Sequence, residues 1–162
     1  MDAKDKLLVP FRNISTPVLI ALTLIIHLIF SLSTSSVARM YGISLNANFP
    51  PFDNLKQEFL LVVIFAPLVE TLIFQYFLVN LSISLTMLLF KREYIILAIM
   101  MPAMAFGLAH TYNYMYMAST FVTGLLFNTF YMVVKYRKQD AYSCTTIVHG
   151  LYNLFIFGLK HT

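Results

Sequence analysis

The sequence predicts an all-α fold, a polytopic transmembrane helix bundle with a compact core and about five spans. Three observations predict it. Of 162 residues, 59% are hydrophobic and only 11% are charged, whereas a soluble domain carries roughly a quarter charged residues. Mean hydropathy is +0.76. The apolar residues gather into five stretches separated by short polar segments. A water-soluble globule of this size would need polar surface that this chain does not own, which excludes a soluble enzyme, a disordered tail and a nucleic-acid module. Residues 1–162 read as a single membrane domain, with a cytoplasmic tail at 1–13 and a core at about 59–159.

The five stretches are 14–33, 59–79, 94–110, 114–134 and 143–159, each near the roughly 20 residues that one span needs. Ser35-Ser36-Val37-Ala38 after the first stretch only weakly imitates a cleavage pattern, so that stretch reads as a span rather than a removable leader. The polar, turn-rich segment 42–54, with Pro50 and Pro51, reads as an external loop. Glu70 is the sole charge from Phe59 through Phe90. A straight helix over that run would be about 48 Å long against a core of about 30 Å. A bend near Asn80-Leu81-Ser82 is therefore expected, with 83–90 lying at the interface or returning as a short helix.

Basic residues set the orientation. With the N-terminus cytoplasmic, the inner segments hold Lys4, Lys6, Arg12, Lys91, Arg92, Lys135, Arg137 and Lys138, and the outer ones hold Arg39, Lys56 and Lys160. Eight against three obeys the positive-inside rule. The expected location is a bacterial or archaeal cell membrane, with the lipid bilayer and a peptide or membrane-protein substrate as partners and no nucleic acid. The lone Cys144 excludes an internal disulfide and any cysteine-based metal knuckle.

Ionisable groups are costly in hydrocarbon and mark function when they occur there. Glu70 lies in mid-span, three residues after Pro67, whose missing N–H frees a carbonyl near Val63 and lets the helix kink. His149 and Asn153 are four apart and share a helix face, and Gly150 between them permits close helix approach. His110 ends the third stretch after Phe106-Gly107-Leu108-Ala109. Taken singly, His149 and Asn153 are as well explained by interhelical hydrogen bonds, and His110 by an interfacial position. His27 has no polar companion at helical spacing and reads as a packing residue. Asn128 reads as an interhelical hydrogen-bond partner, and Tyr112, Tyr114 and Tyr116 as an interfacial aromatic belt.

Together, Glu70, His110, His149 and Asn153 supply one carboxylate base, two imidazoles and an amide donor from three spans. That set can activate a water and stabilise an oxyanion, the two needs of peptide-bond hydrolysis. Two histidines and a carboxylate can also ligate a divalent metal such as Zn, although the His-Glu-x-x-His spacing of soluble zinc peptidases is absent. The depths constrain the set. In the orientation above, His110 falls near the outer end of span three and His149 about two turns into span five from the inside. They meet if span three is short or tilted, if 91–93 is not its border, or if the orientation is reversed.

Pro67-Leu68-Val69-Glu70, Phe106-Gly107-Leu108-Ala109-His110 and His149-Gly150-Leu151-Tyr152-Asn153, in this order on successive spans, resemble the CPBP family. These are the CAAX-protease and bacteriocin-processing intramembrane proteases, also called Abi. The resemblance covers about 66–157. It implies an endopeptidase with Glu70 as general base, His110 positioning or activating water, and His149 and Asn153 supporting the developing oxyanion, with or without a metal. Phe106 and Gln75 would be supporting residues. Two positions depart from the family's Glu-Glu-x-x-x-Arg pattern: Thr71 replaces the second Glu and Gln75 replaces the Arg. Non-enzymatic alternatives are a proton-coupled carrier and an immunity or scaffold protein that keeps the protease fold.

Overall fold

The computed structural model describes residues 3–45 and 51–161. Residues 46–50, the middle of the expected 42–54 loop, lie outside the described residues, as do the first two residues and the last. Every element in the described residues is helical: α1 (Ala3–Leu8), a short 3-10 turn (Val9–Phe11), α2 (Thr16–Met40), α3 (Leu55–Phe90), α4 (Ile95–Leu108), α5 (Tyr114–Tyr136) and α6 (Ala141–His161). The five long helices correspond one to one to the expected spans. Of these, α2, α3 and α5 are long and apolar enough to cross a membrane. The segment expected as a tail contains α1, and Leu7, Leu8 and Phe11 pack on the core.

Helix starts follow ordinary capping chemistry. Asn54 accepts from Gln57 N at 2.9 Å to start α3, and Asn113 accepts from Tyr116 N at 2.8 Å to start α5. The Asp140 carboxylate accepts from Ser143 N at 3.0 Å and from Ser143 Oγ at 2.6 Å to start α6. Lys91, in the left-handed region at φ 58°, ends α3.

The expected bend near Asn80 is absent: α3 runs unbroken for 36 residues, about 54 Å at 1.5 Å per residue. Polar side chains at the expected break are satisfied without unwinding it. Asn80 Nδ2 donates to Tyr131 Oη at 2.9 Å, and Ser82 Oγ donates to Leu78 O at 2.8 Å. The irregularity lies earlier instead. The chain winds with i→i+5 hydrogen bonds over Leu60–Phe65 and Thr71–Leu78, on both sides of the turn that carries Pro67 and Glu70. Such wide turns recur at functional sites. The buried face of α3 is Val63, Pro67, Thr71, Gln75 and Val79, one residue in four.

α5 is the central helix, with ten buried residues among 23, against three of 25 in α2. α4 and α5 approach most closely at two glycines. A Cβ on Gly107 would lie 2.8 Å from Phe121 Cβ and 3.0 Å from Met117 O, and one on Gly124 would lie 3.1 Å from Ala103 Cα. A Cβ on Gly150 would meet only Val63 O, at an ordinary 3.5 Å. The close approach expected at Gly150 is therefore found at Gly107 and Gly124. α4 has only 14 residues, about 21 Å of helix. It is shorter than a full crossing, as the short-span alternative for the depths of His110 and His149 requires.

α3 also begins before the predicted span and so includes Glu58, a second acid with 8% exposure. Lys160 Nζ donates to its Oε1 at 2.7 Å, and His161 Nε2 lies 3.2 Å from its Oε2. These contacts fasten the start of α3 to the end of α6.

Candidate active site

Three helices and one turn bring the ionisable residues together. Glu70 sits between the two wide-turn segments of α3, His149 is eight residues into α6, and His110 follows the end of α4. Glu70 Oε2 lies 3.6 Å from His149 Nε2, and Glu70 Oε1 lies 3.9 Å from His110 Nε2. The Glu70 side chain keeps 25% of its exposure, while His149 keeps only 4%.

Second contacts fix both rings. His110 Nδ1 donates to Phe106 O at 2.7 Å. Since a carbonyl only accepts, a neutral His110 turns a bare Nε2 lone pair toward Glu70. His149 Nδ1 lies 3.4 Å from Thr71 Oγ1, a fully buried hydroxyl. The Phe106 ring stands between the two imidazoles, with centroids 4.5 Å from His110 and 6.3 Å from His149, and packs edge-on against Phe74. Phe106 thus contributes through both its ring and its carbonyl.

Asn153, one turn beyond His149 on α6, bonds to the backbone of α3. Its Nδ2 donates to Val62 O at 2.8 Å. Pro67 has no N–H to close the i→i+5 bond to that carbonyl, and the Asn153 amide takes its place. In α4, Asn128 Nδ2 donates to the backbone carbonyl of Ile99 at 2.8 Å, three residues before Pro102. Asn128 Oδ1 accepts from Gln75 Nε2 at 3.3 Å, so Gln75 joins a neutral chain to α4 and does not touch Glu70. Asn128 is an interhelical partner, as its sequence position suggested.

Five neighbours had weak sequence signals or none. Thr71 looked only like a loss of charge, yet it meets His149. Tyr116 packs on His110 at 5.9 Å between centroids, in contact with Tyr112, so two of the three tyrosines belong to the site wall, while Tyr114 is 87% exposed. His27 is buried and stacks on Phe127 at 4.3 Å, and Phe127 lies 4.6 Å from His149. Long-range stacking of this kind leaves no periodic trace in a sequence. Among the described residues, no group of three or more His, Cys, Asp or Glu side chains is arranged to hold a metal ion.

The family model described as type II CAAX prenyl endopeptidase Rce1-like matches residues 54–155. The chain belongs to the Rce1-like family. That is the CPBP family the motifs resemble, a family of membrane-embedded proteases. No curated protein and no solved structure matches it. The matched segment contains all four residues singled out from the sequence, together with both family departures, Thr71 and Gln75.

Proposed function

We propose that this Rce1-like chain is an active intramembrane endopeptidase that hydrolyses a peptide bond in a membrane-associated or lipidated peptide or protein. One observation carries the reading: the Glu70 carboxylate faces Nε2 of His110, a bare acceptor in the neutral ring, across 3.9 Å, with His149 Nε2 3.6 Å from its other oxygen. Two acceptors at that separation are bridged by a water that donates a proton to each. Glu70 then takes one proton as the water oxygen attacks the peptide carbonyl, and returns it to the leaving amine. The Thr71 hydroxyl, by donating to His149 Nδ1, holds the tautomer whose Nε2–H faces Glu70 and the reacting oxygen. Asn153 uses one amide hydrogen on Val62 O and keeps the other for the oxyanion. The neutral Thr71 and Gln75 replace a charged pair without removing the base, which favours an active enzyme over a silent scaffold.

No step in this scheme passes through a metal. The N-terminus is assigned to the cytoplasmic side on the eight-to-three distribution of basic residues. The test is purified protein in detergent with a peptide library, assayed with and without a chelator. Cleavage that survives the chelator and is lost in each of Glu70→Ala, His110→Ala and His149→Ala supports the scheme. Undiminished cleavage by all three variants refutes it.

A further inference from the structure

A second polar feature lies where α3 passes the turn between α5 and α6. A pocket of about 540 Å³ is lined there by Phe77, Asn80, Ser84, Tyr131, Lys135 and Gln139 among others. Its cation is Lys135, whose Nζ donates to Asn80 Oδ1. Asn80 donates in turn to Tyr131 Oη at 2.9 Å. Among the described residues Lys135 forms no ion pair within 4.0 Å. The acids around it are engaged elsewhere: Asp140, also in the lining, has both oxygens bonded to Ser143, and Glu93 accepts from Tyr136 Oη at 2.7 Å. A cation with neutral hydrogen-bond partners and open space before it suits an anion.

Its placement says which anion. Gln139 accepts from Thr16 Oγ1, on the first residue of α2, at 2.8 Å. The pocket therefore lies level with the end of a helix long and apolar enough to span, where lipid headgroups lie. Arg137 and Lys138 follow Lys135, and Lys91 and Arg92 follow α3, so this end of the chain is strongly basic, and basic pockets at such ends attract anionic headgroups. Away from that end, the face of α3 opposite its buried row is a ladder of exposed apolar side chains: Phe77, which lines the pocket, then Ile73, Val69 and Phe65. The ladder covers about 18 Å, against roughly 15 Å for half of a 30 Å hydrocarbon core. An acyl chain laid along it brings its phosphate to Lys135.

We propose that this pocket binds the phosphate of an anionic phospholipid, with Lys135 as its cation and Phe77 against the first part of an acyl chain. A zwitterionic headgroup brings a second cation into a pocket that already holds one, so phosphatidylglycerol is favoured over phosphatidylcholine. Asn80 lies ten residues beyond Glu70 on one continuous helix, about 15 Å at 1.5 Å per residue. The lipid site is thus separate from the proposed active site and does not rest on the peptidase reading.

The test reads lipid binding without any cleavage. The protein in an uncharged detergent is equilibrated with micelles holding equal amounts of phosphatidylglycerol and phosphatidylcholine with matched acyl chains. It is then captured by an affinity tag, and the retained lipids are quantified by mass spectrometry. Phosphatidylglycerol is expected to be retained about tenfold over phosphatidylcholine, the scale of one charge-assisted contact. Lys135→Met should bring that ratio to about one, and Lys135→Arg should keep it. Ser84→Phe, which leaves the cation and fills the space before it, should lower the ratio as Lys135→Met does. Lys138→Gln, which removes a charge from the same end but outside the lining, should leave it nearly unchanged, as should Glu70→Gln. A ratio near one in the parent, or a preference that survives Lys135→Met or Ser84→Phe, overturns the proposal. An equal loss in Lys138→Gln also overturns it, by showing diffuse attraction to a basic surface, and a loss in Glu70→Gln does so by placing the lipid at the catalytic carboxylate. Displacement of the lipid by inorganic phosphate overturns it too, since the ligand would then be a soluble phosphate.

Discussion

Asn153 donates its side-chain amide to the carbonyl of Val62, the group that Pro67 leaves without a backbone partner. A residue on α6 thereby completes the hydrogen bonding of α3 one turn before the segment that carries Glu70. The site is built on a continuous helix that lacks one backbone hydrogen bond at Pro67, and Asn153 supplies the missing donor from outside.

The interruption predicts a coupling. Asn153→Ala leaves a buried carbonyl unpaired and should cost about 1–3 kcal/mol. Pro67→Ala restores an N–H able to reach that carbonyl, so the same Asn153 substitution should cost less in the Pro67→Ala background. Thermal unfolding of the two single variants, the double variant and the parent in detergent measures the difference. Strictly additive losses would show that the two residues do not share the Val62 carbonyl.

Thr71 is predicted to act through its hydroxyl. Thr71→Val keeps the shape, removes the donor to His149 Nδ1, and should lower the rate of peptide cleavage about tenfold, the scale of one neutral hydrogen bond. Thr71→Ser should recover most of the loss. If the valine variant cleaves at the parent rate, the His149 tautomer is set by something else.

Packing between α4 and α5 gives a prediction about glycine. Gly107→Ala pushes a methyl group into Phe121 Cβ and the Met117 backbone, and should destabilise by about 1–3 kcal/mol. Gly150→Ala meets an ordinary contact at 3.5 Å and should leave the melting temperature unchanged or slightly higher. The opposite order would show that α6 and α3, rather than α4 and α5, form the tight interface.

Much of this was legible in the sequence, and what was not has physical causes. Five helices follow from apolar runs, because only closed hydrogen bonding is tolerated in lipid. Glu70, His110 and His149 stood out because ionisable groups in such runs are rare. The bend wrongly expected near Asn80 came from treating Asn80 and Ser82 as breakers, whereas Tyr131 and the backbone of the preceding turn satisfy them. The close approach assigned to Gly150 belongs to Gly107 and Gly124, since a glycine shows that room exists but not which helix uses it. The contact of Thr71 with His149 spans 78 positions, and no local pattern encodes it.

The turn before α6 carries a pH signature. Hydrogen bonds from Ser143 Oγ and then Ser143 N hold the Asp140 carboxyl below its ordinary value of 3.8. A group lowered on folding contributes stability above its unfolded value, which is lost as pH falls through the folded one. The destabilisation caused by Asp140→Asn should therefore be present at pH 6 and fade below about pH 4, the ordinary carboxylate range. Melting of parent and variant across pH 2–7 checks it, and a pH-independent difference would contradict it.

The central claim is that Glu70 is the base. The most direct measurement is the single-turnover rate of peptide hydrolysis by purified wild-type protein and by Glu70→Gln, which keeps the size and loses the proton acceptor. A loss of roughly 10²–10⁴-fold, the usual contribution of a positioned general base, is the predicted result. Hydrolysis by Glu70→Gln at the wild-type rate would contradict it.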